Sequence, residues 1–334
     1  MVAHVKMSRR RFLGSAGTAL AAPALAATTL SKALAQTSAA APAAVSRWRQ
    51  LGALTAEAQK LGLFAPQVSA TLTGGDEFDR VMPAVVDFID AVQASANETD
   101  VPAADVARLL GEADALLRQL TQAERSPRTD RDNVTGAAAV TRPTFESLRE
   151  EYNKLFATCT VRTANAAEVN WYIGKLTSDD YKEQYLTVGN EVCAPWYFVG
   201  IIHAMEASFN FQGHLHNGDS LSEKTVHVPK GRPTPWDPPN DWASSAEDAL
   251  TFDGLANQAD WGLAHTLYRF ESYNGFGSRR NGINTPYLWS YSNQYTKGKF
   301  VADGVWDANA VSKQCGAAVM LKVLVDRGLT TLPS

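Results

Sequence analysis

The run Ala194-Pro195-Trp196-Tyr197-Phe198-Val199-Gly200-Ile201-Ile202-His203-Ala204-Met205-Glu206 is apolar nearly all round. A helix without a polar face has no side to turn to water, so other elements must surround it. Pro195 suits a first helical turn, where its missing N–H leaves no bond unmade. Asn210 and Gly213 lie beyond the expected helix end. Glu206 is therefore predicted at the C-terminal end of a core helix. Burial disfavours a charged carboxylate, and the negative end of the helix dipole acts in the same direction. A carboxyl kept protonated near neutral pH is what a general acid needs. The competing reading is a structural ion pair with an arginine such as Arg279.

Gly213-His214-Leu215-His216-Asn217-Gly218-Asp219 and Thr225-Val226-His227-Val228 follow. Asn217-Gly218 is a hairpin-turn signal, so a small β-hairpin is expected directly after the glutamate. Asp219 lies 13 residues after Glu206, and Thr225 six after Asp219. A two-carboxylate glycosidase needs an acid and a second carboxylate flanking the scissile bond. Asp219 is the candidate second carboxylate, and Thr225 could hold a water or a sugar hydroxyl. Asp219 is equally suited to capping a turn through its own side chain. His203, His214, His216 and His227 fall close to both acids. They are read as substrate-contacting or structural, since the i, i+4 histidine pair of zinc proteases is missing.

Further on, Ser244-Ser245-Ala246-Glu247 has the pattern of a helix capping box, and a helix is expected to run from there through Leu250. Another is expected from Asp260 to about Tyr273. Its tail, Glu271-Ser272-Tyr273-Asn274-Gly275-Phe276-Gly277, puts Tyr273 and Asn274 where they could stack and hydrogen-bond a sugar. Tyr287, Trp289, Tyr291 and Tyr295 form an aromatic loop, and aromatic faces with polar tips suit sugar rings. Asp307 is expected to cap a last helix to Arg327, stopped by Gly328.

The N-terminal half reads differently. Val106, Leu109, Leu110, Ala113, Leu116, Leu117 and Leu120 recur at steps of three and four, one face of an amphipathic helix over about 101–121. Two earlier helices are expected near 45–61 and 77–92, with Pro83 weakening the second or moving its start. No catalytic constellation is apparent there, so this part is read as packing or attachment. Ser126 to about Thr144 is polar, with Pro127, Gly136 and Pro143, and reads as a linker. All but one of the eight tryptophans, and every histidine except His4, lie beyond it.

The first 35 residues contain five Lys/Arg and no acid, so their removal leaves 26 bases against 35 acids. Such an acidic chain lacks the electrostatic footprint of a nucleic-acid binder. No apolar run of about 20 residues suggests a transmembrane helix. Three cysteines, Cys159, Cys193 and Cys315, do not make a disulfide scaffold, and the sequence does not choose a pair.

Ser8-Arg9-Arg10-Arg11-Phe12-Leu13, the weakly apolar stretch to Ala27 and Ala33-Leu34-Ala35 form a charged, apolar and small-residue export pattern. It resembles the twin-arginine signal, which implies export to the bacterial periplasm or beyond. The expected division is a signal over 1–35, a helical region over 36–125, a linker over 126–144 and a catalytic domain over 145–334.

The run from Trp196 to about Leu324 resembles the bacterial "lysozyme family protein" group, a lysozyme-like peptidoglycan hydrolase domain. The residues carrying the resemblance are Ile202 to Glu206, His214 to Asp219, Thr225 to Pro229, Tyr273 to Gly277, Tyr287 to Ser290 and Ser312 to Gly316. The resemblance implies a mainly α (α+β) fold with a small β-hairpin region and Glu206 as acid; no cofactor or metal is expected. Tyr273-Asn274-Gly275 is similar to a substrate motif of goose-type lysozymes and lytic transglycosylases. Asp219 and Thr225 keep the six-residue offset of the phage lysozyme pattern, although the Glu-to-Asp gap is longer here. The expected activity is cleavage of the MurNAc–GlcNAc bond in peptidoglycan glycan strands, with His203, His214, His216, Tyr273, Asn274 and Trp289 as substrate contacts. Three alternatives stand beside it: a lytic transglycosylase using one glutamate, a non-catalytic glycan-binding protein, and a metal-dependent amidase.

Overall fold

A computed structural model describes residues 46–68, 77–125, 142–235, 241–302 and 304–333. The export pattern, the leader after it and most of the linker, residues 126–141, lie outside these. The fold is mainly helical. In chain order the helices are α1 (46–60), α2 (Glu77–Ala96), α3 (Ala103–Glu124), α4 (Phe145–Ala157), α5 (Ala166–Thr177) and α6 (Asp179–Glu191). They continue with α7 (Trp196–Ala207), α8 (Trp242–Phe252), α9 (Leu263–Asn274), α10 (Pro286–Trp289) and α11 (Ala317–Asp326). Among the described residues, no helix is long and apolar enough to cross a membrane.

The apolar run forms α7, with every residue from Tyr197 to Ala207 buried. It is packed by α3, α5, α6 and α11. Gly200 sets how close α6 can come: a Cβ there would lie 2.7 Å from the Tyr185 ring and 2.9 Å from Leu176. α7 ends at Ser208, which adopts a left-handed conformation at φ 49°. That conformation costs a non-glycine residue energy. Thr121 of α3 anchors the strained turn by donating its hydroxyl to Ser208 Oγ at 2.8 Å.

The amphipathic face of α3 buries Leu109, Leu116, Leu117 and Leu120. These residues, with others from α1 and α2, belong to the same continuous hydrophobic core as α4 to α11. α2 begins at Glu77 and accommodates Pro83 in its second turn. There, only the carbonyl four residues earlier loses its helical donor.

Three expectations of local structure are corrected. The segment around Asn217-Gly218 is a compact loop with one isolated bridge, Gly213 to Ser220. The two-stranded antiparallel sheet, β1 (Lys299–Ala302) with β2 (Val305–Asp307), lies far downstream. Side-chain hydrogen bonds from Asn217 and Asp219 take up the loop's backbone groups, so no ladder forms. The start of α8 is set by Asp241, whose Oδ1 accepts from Ser244 N at 2.7 Å, not by Ser244. Asp307 lies in β2 and caps a turn, accepting from Asn309 N and Ala310 N. The last helix starts only at Ala317, because the intervening chain bonds to the aromatic loop, as in Gly316 N to Ser290 O.

Candidate functional site

Glu206 sits in the last turn of α7, its side chain 1% exposed. Tyr287 of α10 donates its hydroxyl to Oε1 at 3.0 Å. Oε2 has no hydrogen-bond partner among the described residues. It faces Arg125 Nε at 3.8 Å, beyond hydrogen-bond reach. Gln314 donates to the carbonyls of Ala204 and Met205 and so satisfies the end of α7 beside the carboxylate. Arg279, the expected alternative partner, lies elsewhere. It grips the fully buried Glu271 through two bonds of 2.7 Å, and Tyr152 donates to the same carboxylate at 2.8 Å. Burial pushes the Glu271 carboxyl up despite these donors.

Arg125 ends α3, and α3 lines this region with polar side chains at helical spacing. Asp114 pairs with Arg118 and accepts from Asn210 Nδ2. Thr121 holds Ser208, and Arg125 donates from Nη1 to the Asn217 carbonyl. The helical region read as packing therefore reaches Glu206. The sequence carries no local signal for Arg125, because its partners lie 81 and 92 residues away on other elements. Tyr287 was visible only as one member of an aromatic cluster.

The loop after α7 is tied down by its own side chains. Asp219 Oδ2 accepts from Val226 N at 2.8 Å, His227 N at 2.9 Å and Asn217 Nδ2 at 3.0 Å. Its Oδ1 pairs with His227 Nδ1 at 2.6 Å. Burial alone would raise the Asp219 carboxyl, but the bonds from His227 and Val226 prevail and hold it below the usual carboxylate range. The Thr225 hydroxyl donates to Pro229 O and accepts from Arg232 N at 2.9 Å. Both expected site residues thus have their polar atoms committed to loop structure.

The histidines are each held separately. His203 is wholly buried, with Nδ1 at 3.0 Å from the Tyr185 hydroxyl, and desolvation pushes it down to about 3, so it is neutral. His214 lies between Ser245 Oγ at 2.6 Å and Glu223 O at 2.7 Å. His216 Nε2 meets Asp248 at 2.8 Å, and Arg232 binds the same carboxylate. Among the described residues, no three His, Cys, Asp or Glu side chains converge to hold a metal ion. Cys159 and Cys315 are buried free thiols, and Cys193 is an exposed one.

Tyr273 is buried and donates to the Leu215 carbonyl at 2.9 Å, joining the end of α9 to the loop after α7. Asn274 is buried beside it, and its Oδ1 has no hydrogen-bond partner among the described residues. Trp289 is buried in the core. Neither His203 nor Trp289 offers an accessible surface to a ligand in this structure. Compared with known proteins, the chain matches no family model, no curated protein and no solved structure.

Proposed function

We propose that the protein is a peptidoglycan glycosidase that cleaves the MurNAc–GlcNAc bond with Glu206 as the proton donor, on a lysozyme-like arrangement of helix end and following loop. The observation that carries the reading is the hydrogen-bond setting of the carboxyl. Tyr287 fixes Oε1, and Oε2 has no hydrogen-bond partner among the described residues at the end of a buried helix. A proton on Oε2 can pass to the leaving glycosidic oxygen, and Tyr287 and Arg125 would then stabilise the carboxylate that remains. Because the side chain is 1% exposed, its surroundings must give way for a glycan to reach it.

The commitment of Asp219 to four hydrogen bonds favours the single-carboxylate route. In that route Glu206 protonates the leaving oxygen, then takes the proton of the muramic acid 6-hydroxyl as this oxygen bonds to the anomeric carbon. The product is a 1,6-anhydro end, and no water is consumed. The resemblance of Ser8 to Leu13 to the twin-arginine pattern supports a periplasmic or secreted location. The test is digestion of purified sacculi by the wild type and by Glu206→Gln, with the new ends identified by mass. General acid catalysis is worth about 10²–10⁴-fold, and the variant should lose activity on that scale. Near-full activity in Glu206→Gln would refute the reading.

A further inference from the structure

A cleft of about 1180 Å³, which Glu206 does not line, lies between α2, α5 and α6 on one side and the Phe211–Gln212 turn with the start of α8 on the other. Its chemistry differs from that of the Glu206 surroundings in three respects.

Trp171 and Phe211 present partly exposed aromatic faces to it, backed by the buried Tyr181 and Trp242. Phe211 packs edge-on against Tyr181 at 5.0 Å and Trp242 at 4.9 Å, so these rings form one rigid wall. Such clefts, mostly apolar with a few placed polar groups, are the usual form of a small-ligand site.

Trp242 is only 5% exposed, yet its indole N–H has no hydrogen-bond partner among the described residues. A buried indole donor normally finds one. The nitrogen itself is closed off from the cleft, so a ligand acceptor reaches it only when the ring shifts.

The lining is also acidic. Asp87, Asp90, Asp180 and Asp241 stand against one cation, Lys175. That ammonium is already committed to Asp87 at 2.8 Å and Asp90 at 2.5 Å. Asp180 and Asp241 have no ion-pair partner among the described residues. The field extends along α8, where burial, Glu191 and Asp241 together push the Glu247 carboxyl up. An anionic ligand would be repelled by this field, and a cationic one attracted.

We propose that this cleft binds an oligosaccharide carrying protonated amines, a de-N-acetylated amino-sugar strand. The apolar faces of the sugar rings lie on Trp171 and Phe211, the hydroxyls meet the amides of Gln93, Gln184 and Gln212, and the ammonium groups answer Asp180 and Asp241. The site is independent of the Glu206 chemistry, since Glu206 does not line the cleft and no bond is made or broken.

The experiment is calorimetric titration of the full chain carrying Glu206→Gln, which keeps an oligomer uncut. The probes are a glucosamine hexamer, an N-acetylglucosamine hexamer and hexalysine, at low salt and a pH where the amines are charged. The glucosamine hexamer should bind about tenfold or more tighter than either of the others, a difference of about 1.4 kcal/mol. Combining Asp180→Asn with Asp241→Asn, which retains the α8 cap, should abolish the preference over the acetylated oligomer. Trp171→Leu removes a partly exposed aromatic face from the cleft and should weaken both sugars. Equal binding of the two sugars, equal or tighter binding of hexalysine, or no binding at all would overturn the proposal. Sacculus digestion is scored separately, so failure of the Glu206 reading would leave this result standing.

Discussion

The Tyr287 hydroxyl donates to Oε1 of Glu206 at 3.0 Å across 81 residues of sequence, joining the end of α7 to the short helix α10. Both residues are buried, so water cannot replace the bond. Tyr287→Phe leaves a buried oxygen unpaired, which costs about 1–3 kcal/mol. Thermal melting should show that loss, and sacculus digestion should slow. A variant with unchanged melting and unchanged activity would show that the bond orients nothing.

Arg125 bridges the Asn217 carbonyl and the face of Glu206. Arg125→Leu keeps bulk but removes both attractions. Digestion should fall by about tenfold or more, because the carboxylate left after proton transfer loses a cation. Arg125→Lys should recover part of that activity. Full activity in Arg125→Leu would exclude a role for the guanidinium.

A fragment beginning near Arg142 tests whether the N-terminal helices can be removed. Such a fragment lacks Leu109, Leu116, Leu117 and Leu120, each buried in the shared core. Each fully buried leucine contributes about 1.5–3 kcal/mol. The fragment also exposes the Ser208 turn that Thr121 holds. It should be insoluble or melt without cooperativity, by circular dichroism. A sharp melting transition would show that residues from 142 onward form a self-sufficient core.

Acid should act in two windows. His203 is lowered to about 3 in the fold by desolvation. The unfolded chain therefore takes up this proton first as pH falls through about 6.5. Stability is complete above that value and declines below it, by at most about 1.4 kcal/mol per pH unit. Asp219 is depressed by its donors, so its contribution is present above about pH 4 and lost as pH falls through its lower folded value. Melting curves of His203→Gln should lose the upper window alone, and those of Asp219→Asn the lower one alone. Unaltered pH profiles would refute the assignments.

Replacing Arg9 and Arg10 together by Lys should strand the precursor in the cytoplasm, read by fractionation and by the size of the chain. Processing and export of that double variant would exclude the twin-arginine reading.

α7 and the place of Glu206 were legible because thirteen nearly uninterrupted apolar residues leave a helix no exposed side. The face of α3 was legible for the same reason of period. What escaped was whatever depends on distant partners. Asn217-Gly218 has the residues of a hairpin turn, but Asp219 and Asn217 take up the backbone donors that strands would have used. Asp307 has the residue type of a helix cap, but the next residues bond to the aromatic loop first. Arg125 looked like the tail of a packing helix, since nothing near it in sequence reveals an opposing carboxyl.

Gln314 closes the end of α7 by bonding the carbonyls of Ala204 and Met205 from more than a hundred residues downstream. With Arg125 coming from well upstream, the groups around Glu206 are gathered from much of the chain's length. During synthesis the last turn of α7 keeps open carbonyls until the segment bearing Gln314 has been made. A chain interrupted before that segment has the glutamate without its setting.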